Sequence, residues 1–473
     1  MFNKLTALLV LFILSVTFGF AQHQEVLEKP EIWRGSGKIS EDTTSLLGAF
    51  KGGSVHGHFR YMFMSTNNQG DLQNFWANAA GGGIRYHTAR FHGFSFGVSG
   101  FYIFNIGSHN LQNPDPTTGQ LSRYEVALFD ITNPFNTEDM DRLEELMLTY
   151  KFSNTEIIFG KQLLNTPFIN LQDGRMRPTG VEGIYFDSRE WKNTHIEGGF
   201  IYAFSPRSTI RWYNTGASIG RHPMGFAPDG QPHQYRDNIT SSGVGILGIH
   251  HKPTSWLHIH AWDFYIDNVM NTAMIQADIN AQKNVGVIGG IQFVAQHAIN
   301  FGGNKNQALT YVKEDHESYV FGLRSGYRSN NWETTVNYNR ITDHGRYQFP
   351  REWGREPFFA FIPRERMEGM GDVHAVSTRL RYNLPRRDIW SSLSIGYVDR
   401  PSPFEHRLNK YGIPSYVHTN FDLHINHKGY AKGLETYILL MAKIKTSSED
   451  LPAHFIINRV NLFHTSLVLN YHF

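Results

Sequence analysis

The chain ends in a stretch running from Phe463 to Phe473, and its side chains sort into two sets. Phe463, Thr465, Leu467, Leu469, Tyr471 and Phe473 form an apolar set with aromatic ends. His464, Ser466, Val468, Asn470 and His472 form a set that is mostly small or polar. Only a strand places alternate residues on opposite faces. An apolar outer face with rings at both ends suits a strand that crosses a bilayer within a closed barrel. The other reading is an ordinary edge strand of a soluble β domain. The rest of the chain decides between them.

The N-terminus carries Lys4, then an apolar run from Leu5 to Phe20, then Ala21 and Gln22. A cationic start, an apolar core and a small residue before the cut describe a secretory signal, with cleavage expected after Ala21. The run is about sixteen residues, short of the roughly 20 a spanning helix needs. There are no cysteines, so an exported chain of 473 residues must hold together without disulfides. A closed barrel does so, because every backbone group finds a partner and no edge remains. Mean hydropathy is −0.38, which alternation explains: barrel strands hide their apolar half among polar neighbours. Thirty-five phenylalanines and 22 tyrosines supply material for interfacial girdles. The formal charge of +2 is too balanced to suggest nucleic-acid binding.

Residues 22–50 are polar and without period, and read as a lead-in; residues 51–473 read as one barrel domain. The first strand alternates Val55, Gly57, Phe59, Tyr61 and Phe63 with His56, His58, Arg60, Met62 and Met64. Beyond it, short turns near 153–154, 188–193, 251–255, 280–284, 329–331, 384–388 and 427–432 alternate with longer polar segments. Those segments lie near 105–144, 164–179, 205–242, 296–316, 341–371, 400–415 and 445–459. The expected fold is therefore all-β: a transmembrane antiparallel up-and-down barrel of about 18 strands, with roughly 16 as fallback, short periplasmic turns and long extracellular loops. The tail should pair with 55–64 and close it. No repeat of the kind a solenoid needs is present.

A barrel of this size leaves an aqueous lumen. Arg324 and Arg328 oppose Phe321, Leu323 and Tyr327 along one strand, and Arg379 and Arg381 oppose Leu380 and Tyr382 along another. An arginine facing lipid at mid-membrane costs about 2–4 kcal/mol, so these four should face water, with Glu333 beside them.

The segment 160–183 is the most distinctive. It carries Gly160 and Gln162, Thr166-Pro167, Asp173, Arg175, Arg177, Pro178 and Glu182-Gly183 between two strand patterns. This resembles the OprD-type family of substrate-specific outer-membrane porins, whose members carry a Gly-x-Gln strand end, a Thr-Pro element, an Asp-x-Arg-x-x-Pro segment and a Glu-Gly. Gly82-Gly83 through Thr88, and Phe91 to Phe94, resemble the family's first hairpin. The specific motifs lie within about residues 50–205. The resemblance implies an 18-stranded barrel with loops folded inward to a narrow eyelet, and a basic lining that guides carboxylate-bearing solutes. Asp173, Arg175 and Arg177 are then the candidates for the constriction. The same residues could instead pin the loop, with Arg175 paired to Asp173 or Glu182. The many histidines and the Phe-Ala-Gln signal end suggest a Bacteroidetes-like member of a Gram-negative lineage.

The function expected is passive diffusion of small hydrophilic solutes, with carboxylate-bearing ones among the candidates, through a charged pore in the outer membrane. The alternatives are an adhesion or binding barrel working through its loops, and an outer-membrane hydrolase. For the last, His464 and Ser466 share a face, but no Gly-x-Ser-x-Gly elbow accompanies them. The 24 histidines, among them His250, His251, His258 and His260, read as polar lining, since a metal needs three or four converging ligands. No catalytic residue, cofactor or metal is expected. Tyr471 and Phe473 are the C-terminal barrel signature, and the expected partners are the lipid bilayer and lipopolysaccharide, the barrel-assembly machinery and small polar solutes, in a monomer or trimer.

Overall fold

The computed structural model describes residues 32–33, 42–138, 140–171, 174–280 and 285–473. The expected signal at 1–21 and most of the lead-in lie outside these residues. Alternation of apolar and polar side chains produces strands throughout. They are β1 Ser54–Asn68, β2 Phe75–His87, β3 Phe94–Ser108, β4 Met140–Phe152, β5 Thr155–Gln162, β6 Gly180–Trp191 and β7 Thr194–Ser205. A two-residue β8, Tyr213–Asn214, belongs to a loop. Then follow β9 Val244–His251, β10 Leu257–Ile266, β11 Met270–Ile279, β12 Gly286–Ala298 and β13 Glu317–Arg328. The last six are β14 Trp332–Ile341, β15 Val373–Leu384, β16 Ile389–Asp399, β17 Tyr416–Asn426, β18 Leu434–Lys445 and β19 Leu462–His472. Each pairs antiparallel with its neighbours, and β7 pairs directly with β9, so eighteen staves form the wall.

The tail closes the barrel as its pattern predicts. β19 pairs with β1 from His58↔His472 to Asn68↔Leu462. Gly57 and Phe473 exchange both backbone hydrogen bonds, at 2.8 and 3.1 Å. The Phe473 ring lies over Gly57, where a Cβ would stand 2.0 Å from its tip, and stacks on Phe59 at 5.4 Å.

Burial runs opposite to that of a soluble protein. The exposed side chains of the outer face are large and apolar, among them Val55, Phe59, Ile84, Ile275, Leu323 and Ile395. The lumen face is polar and buried, as with Thr272, Gln276, Gln292, Asn337, Ser392 and Asn420. Exposed Phe94, Trp191, Trp332 and Tyr471 lie towards the short-turn end, and Trp76, Phe104, Tyr265 and Phe463 towards the long-loop end. Rings at both ends of an apolar band match the two interfaces of a bilayer. Among the described residues no helix is long and apolar enough to cross a membrane.

The short turns fall where expected. The long connections differ in one respect: β10 and β11 are joined by 267–269 alone, and β1 and β2 by 69–74. Of the lead-in, Trp33 is buried against His58 and beneath Arg177, and residues Leu46–Lys51 form a short helix capped by Ser45.

Candidate functional site

Two connections turn inward and meet across the lumen: the described parts of the β5–β6 connection, 163–171 and 174–179, and 342–372, between β14 and β15. In the first, the Thr166 hydroxyl donates to the Ile169 carbonyl (2.8 Å) and accepts from the Ile169 N–H (3.2 Å), which fixes a turn beside Pro167. That turn drives Phe168 edge-on against wall residue Phe264 (5.2 Å) and stacks it on Phe349 of the second loop (5.0 Å). In the second, Trp353 stacks on Phe204 at 4.1 Å and donates from its indole to Ser218 at 2.9 Å. Phe359 presses against the wall at Gly290 and Gly322, where added Cβ atoms would lie 2.8 and 3.2 Å from its ring. Those two glycines are the socket for the ring. Burying such aromatic and aliphatic side chains contributes about 1.5–3 kcal/mol each.

Polar ties complete the crossing. Asn170 donates to the Arg355 carbonyl (2.8 Å) and accepts from the Arg355 N–H (3.2 Å). Arg207 donates to the Arg351 carbonyl at 2.7 Å, and Thr179 to the Glu352 carbonyl at 2.7 Å. At the far wall Arg364 donates to Ser466 of β19 at 2.9 Å, while Lys443 of β18 donates to the Arg364 carbonyl at 3.1 Å. The loop 342–372 thus spans from β12 and β13 to β18 and β19.

Charge is sorted along this loop. Glu352, Glu356, Glu365 and Glu368 are buried, while Arg351, Arg355, Arg364 and Arg366 remain partly exposed. The acids are consumed by anchoring. Glu365 meets Arg400 at 2.8 Å and Lys443 at 3.0 Å, and Glu368 meets Lys410 at 2.8 Å and the Tyr411 hydroxyl at 2.5 Å. Glu356 faces Arg366 at 3.5 Å, and Glu352 accepts the backbone N–H groups of Gly220 (2.8 Å) and His222 (3.1 Å). What is left towards the water is basic. Burial, and then Arg364 and Arg366 beside it, push the Arg175 guanidinium well below its ordinary range. Burial, then Arg366, Arg175 and Arg351, act on Arg207 in the same direction. An arginine does not give up its proton under such pressure, so the cluster keeps its positive charge.

The residues singled out in the sequence fall into different surroundings. Asp173 lies outside the described residues. Arg175 is partly exposed within the cluster and has no carboxylate at ion-pair distance among the described residues; Glu182 is taken by Lys161 and Tyr202. Arg177 is buried and holds Glu144 through two bonds, one from Nε at 2.7 Å, and its plane covers Phe101 at 4.3 Å. Arg142 donates to the same Glu144 at 2.6 Å and to the Pro178 carbonyl at 2.7 Å. Arg177 therefore pins the loop to the wall. Arg324, Arg328, Glu333, Arg379 and Arg381 all face the lumen, but two of them hold the crossing loop. Arg324 lies over Phe359 at 4.3 Å, and Arg379 donates to the Phe361 carbonyl at 3.0 Å. Arg328 pairs with Glu333 at 2.5 Å, and Arg381 lies over Trp390 at 5.6 Å. Sequence reading missed Arg207, Arg351, Arg355, Arg364 and Arg366. The dense mixture of arginine and glutamate over 351–368 was the available signal.

Residues 132–358 match the family model described as outer membrane porin, OprD family. The matched span includes both inward loops up to Phe358. It takes in the 160–183 motifs and runs beyond residue 205, while the first hairpin lies before it. No curated protein sequence matches the chain. Solved structures with the same fold include OccK9 (OpdG) of Pseudomonas aeruginosa, with TM-score 0.69 and 13% identity over 90% of this chain and 99% of that one. OpdK of the same organism, solved with vanillate, gives TM-score 0.67 and 11% identity over 90% and 100%. OccAB4 of Acinetobacter baumannii gives 0.66 and 13% over 89% and 98%.

Proposed function

The chain belongs, through residues 132–358, to the OprD family of outer membrane porins, and on that premise we propose that it selects small solutes bearing a carboxylate where its two inward loops meet. The protein is an outer-membrane channel through which small hydrophilic solutes diffuse passively. The observation that carries the carboxylate reading is the sorting of charge along 351–368, with acids buried and arginines towards water. A solute carboxylate that meets these side chains gives up part of its water. Planar guanidiniums replace that water with paired N–H donors. Arg175, Arg364 and Arg366 are the groups placed to do this, Arg207 adds to the field from behind, and Arg177 keeps the loop in position. OpdK, solved with vanillate, itself a carboxylate, supports the same direction. Neutral and cationic solutes gain nothing there, so discrimination is electrostatic and involves no chemistry.

His464 and Ser466 (3.0 Å apart) are buried, and Ser466 accepts from Arg364, so they read as wall rather than as a catalytic pair. Residues 1–21 read as the export signal, which N-terminal sequencing of the mature barrel checks. A liposome-swelling panel tests selectivity. Monocarboxylates and dicarboxylates are expected to enter faster than neutral sugars of equal size, and Arg175→Ala with Arg364→Ala to abolish the difference. Equal rates for size-matched neutral and anionic solutes in the unaltered protein would contradict the reading.

A further inference from the structure

Far from the loops, close to the short turns, the wall carries a second polar cluster. We propose that His195 and Glu197 of β7 and His250 of β9 form a binding site for a borderline divalent cation of the Zn²⁺ class, open to the lumen. One donor atom from each of the three lies within 4.8 Å of the others. Strand register creates this convergence: His195 pairs with His250, and His250 pairs with His260 of β10, so three imidazoles form a row across adjacent strands. Glu197 stands two residues from His195 and so on the same face.

The surroundings orient these groups as metal ligands require. His250 Nδ1 shares a hydrogen bond with His260 Nδ1 (2.6 Å), which leaves His250 Nε2 directed at Glu197, 2.8 Å away. Tyr185 donates to the other Glu197 oxygen at 2.7 Å, and Asp187 lies 3.1 Å from His195 Nε2. Outer partners of this kind fix the ring tautomer and raise ligand basicity. His260 itself is buried, and its Nε2 has no hydrogen-bond partner among the described residues; the Asp278 carboxylate stands 3.7 Å away. Two imidazoles and one carboxylate, with a position left for water, are a donor set that zinc accepts and that hard cations such as Mg²⁺ do not favour. The three side chains keep 13–24% of their surface, so a cation in the pore reaches them. The sequence reading treated these histidines as scattered lining, because it could not see that register brings positions 195 and 250 together.

Calorimetric titration of Zn²⁺ into the purified, detergent-solubilised barrel tests the site without reference to transport. One saturable Zn²⁺ per chain is expected, weakened at least ~10-fold in His250→Gln and in Glu197→Gln. His195→Gln serves should either of these fail to assemble, assembly being read from β-sheet circular dichroism. Absence of saturable binding, or equal affinity in the unaltered barrel and every assembled variant, would overturn the proposal.

Discussion

At the waist of the barrel, residues 351–368 hide their carboxylates and turn their arginines to the water. Near the short turns of β7, β9 and β10, carboxylate and imidazole stand side by side on one wet surface. The first arrangement keeps guanidiniums at the partly exposed positions of the loop and carboxylates at the buried ones, the charge order on which the proposed anion preference rests. The second neutralises itself by hydrogen bonding and offers lone pairs to a cation. Both use the same kinds of residue; what differs is where the acids go. In the loop they are spent on anchoring cations such as Lys410, Lys443 and Arg400, whereas in the wall Glu197 meets His250 and Tyr185.

The strongest way to break this comparison is to remove the crossing part of the loop, residues 355–366. Single-channel conductance is expected to rise several-fold and anion preference to vanish, while Zn²⁺ affinity stays unchanged. A loss of Zn²⁺ binding would mean that the two regions are one. Next in size is Arg177→Ala, which leaves buried Glu144 with Arg142 as its one cationic partner among the described residues. Losing charge-assisted bonds of this kind costs about 1.5–3 kcal/mol, expected as a lowered midpoint of denaturation in detergent. A variant of unchanged stability but altered ion selectivity would move Arg177 from the anchoring role to the selecting one.

How much of this was legible in the sequence follows from the range of the contacts. Alternation is local, so the strands and the closure of Phe473 against the 55–64 strand could both be read directly. Register is nearly local: a short turn places His260 opposite His250. The meeting of His195 with His250 was not legible, because the 206–243 connection separates β7 from β9. The fate of Arg175 and Arg177 was not legible either. The Asp-x-Arg-x-Arg spacing treats them alike, yet one faces arginines and the other a buried glutamate contributed by β4. Phe359 found its socket because Gly290 and Gly322 face inward on neighbouring strands, a coincidence only the closed sheet displays.

A smaller effect sharpens the loop side. Gly322→Val fills the Phe359 socket and is expected to cost about 1–3 kcal/mol by overpacking, with noisier and larger currents as the loop loosens. Unchanged current noise would show that the ring is not what holds the loop. The smallest concerns Glu125, outside the membrane-crossing strands, whose carboxyl burial pushes up to about 7 from an ordinary 4.5. The folded state then holds a proton that the unfolded chain releases, so stability is full below about pH 4.5 and falls as pH rises towards 7. Glu125→Gln is expected to flatten that part of the melting-temperature profile, and an unaltered slope would assign it to another group.

The central claim, that wet arginines on the inward loops set the selectivity, is tested most directly by the reversal potential of the purified channel in a KCl gradient. The unaltered protein is expected to favour chloride, and Arg175→Ala with Arg364→Ala to shift the potential towards cation preference. A potential unmoved by the paired substitution, in a channel whose conductance shows it has assembled, would contradict the claim.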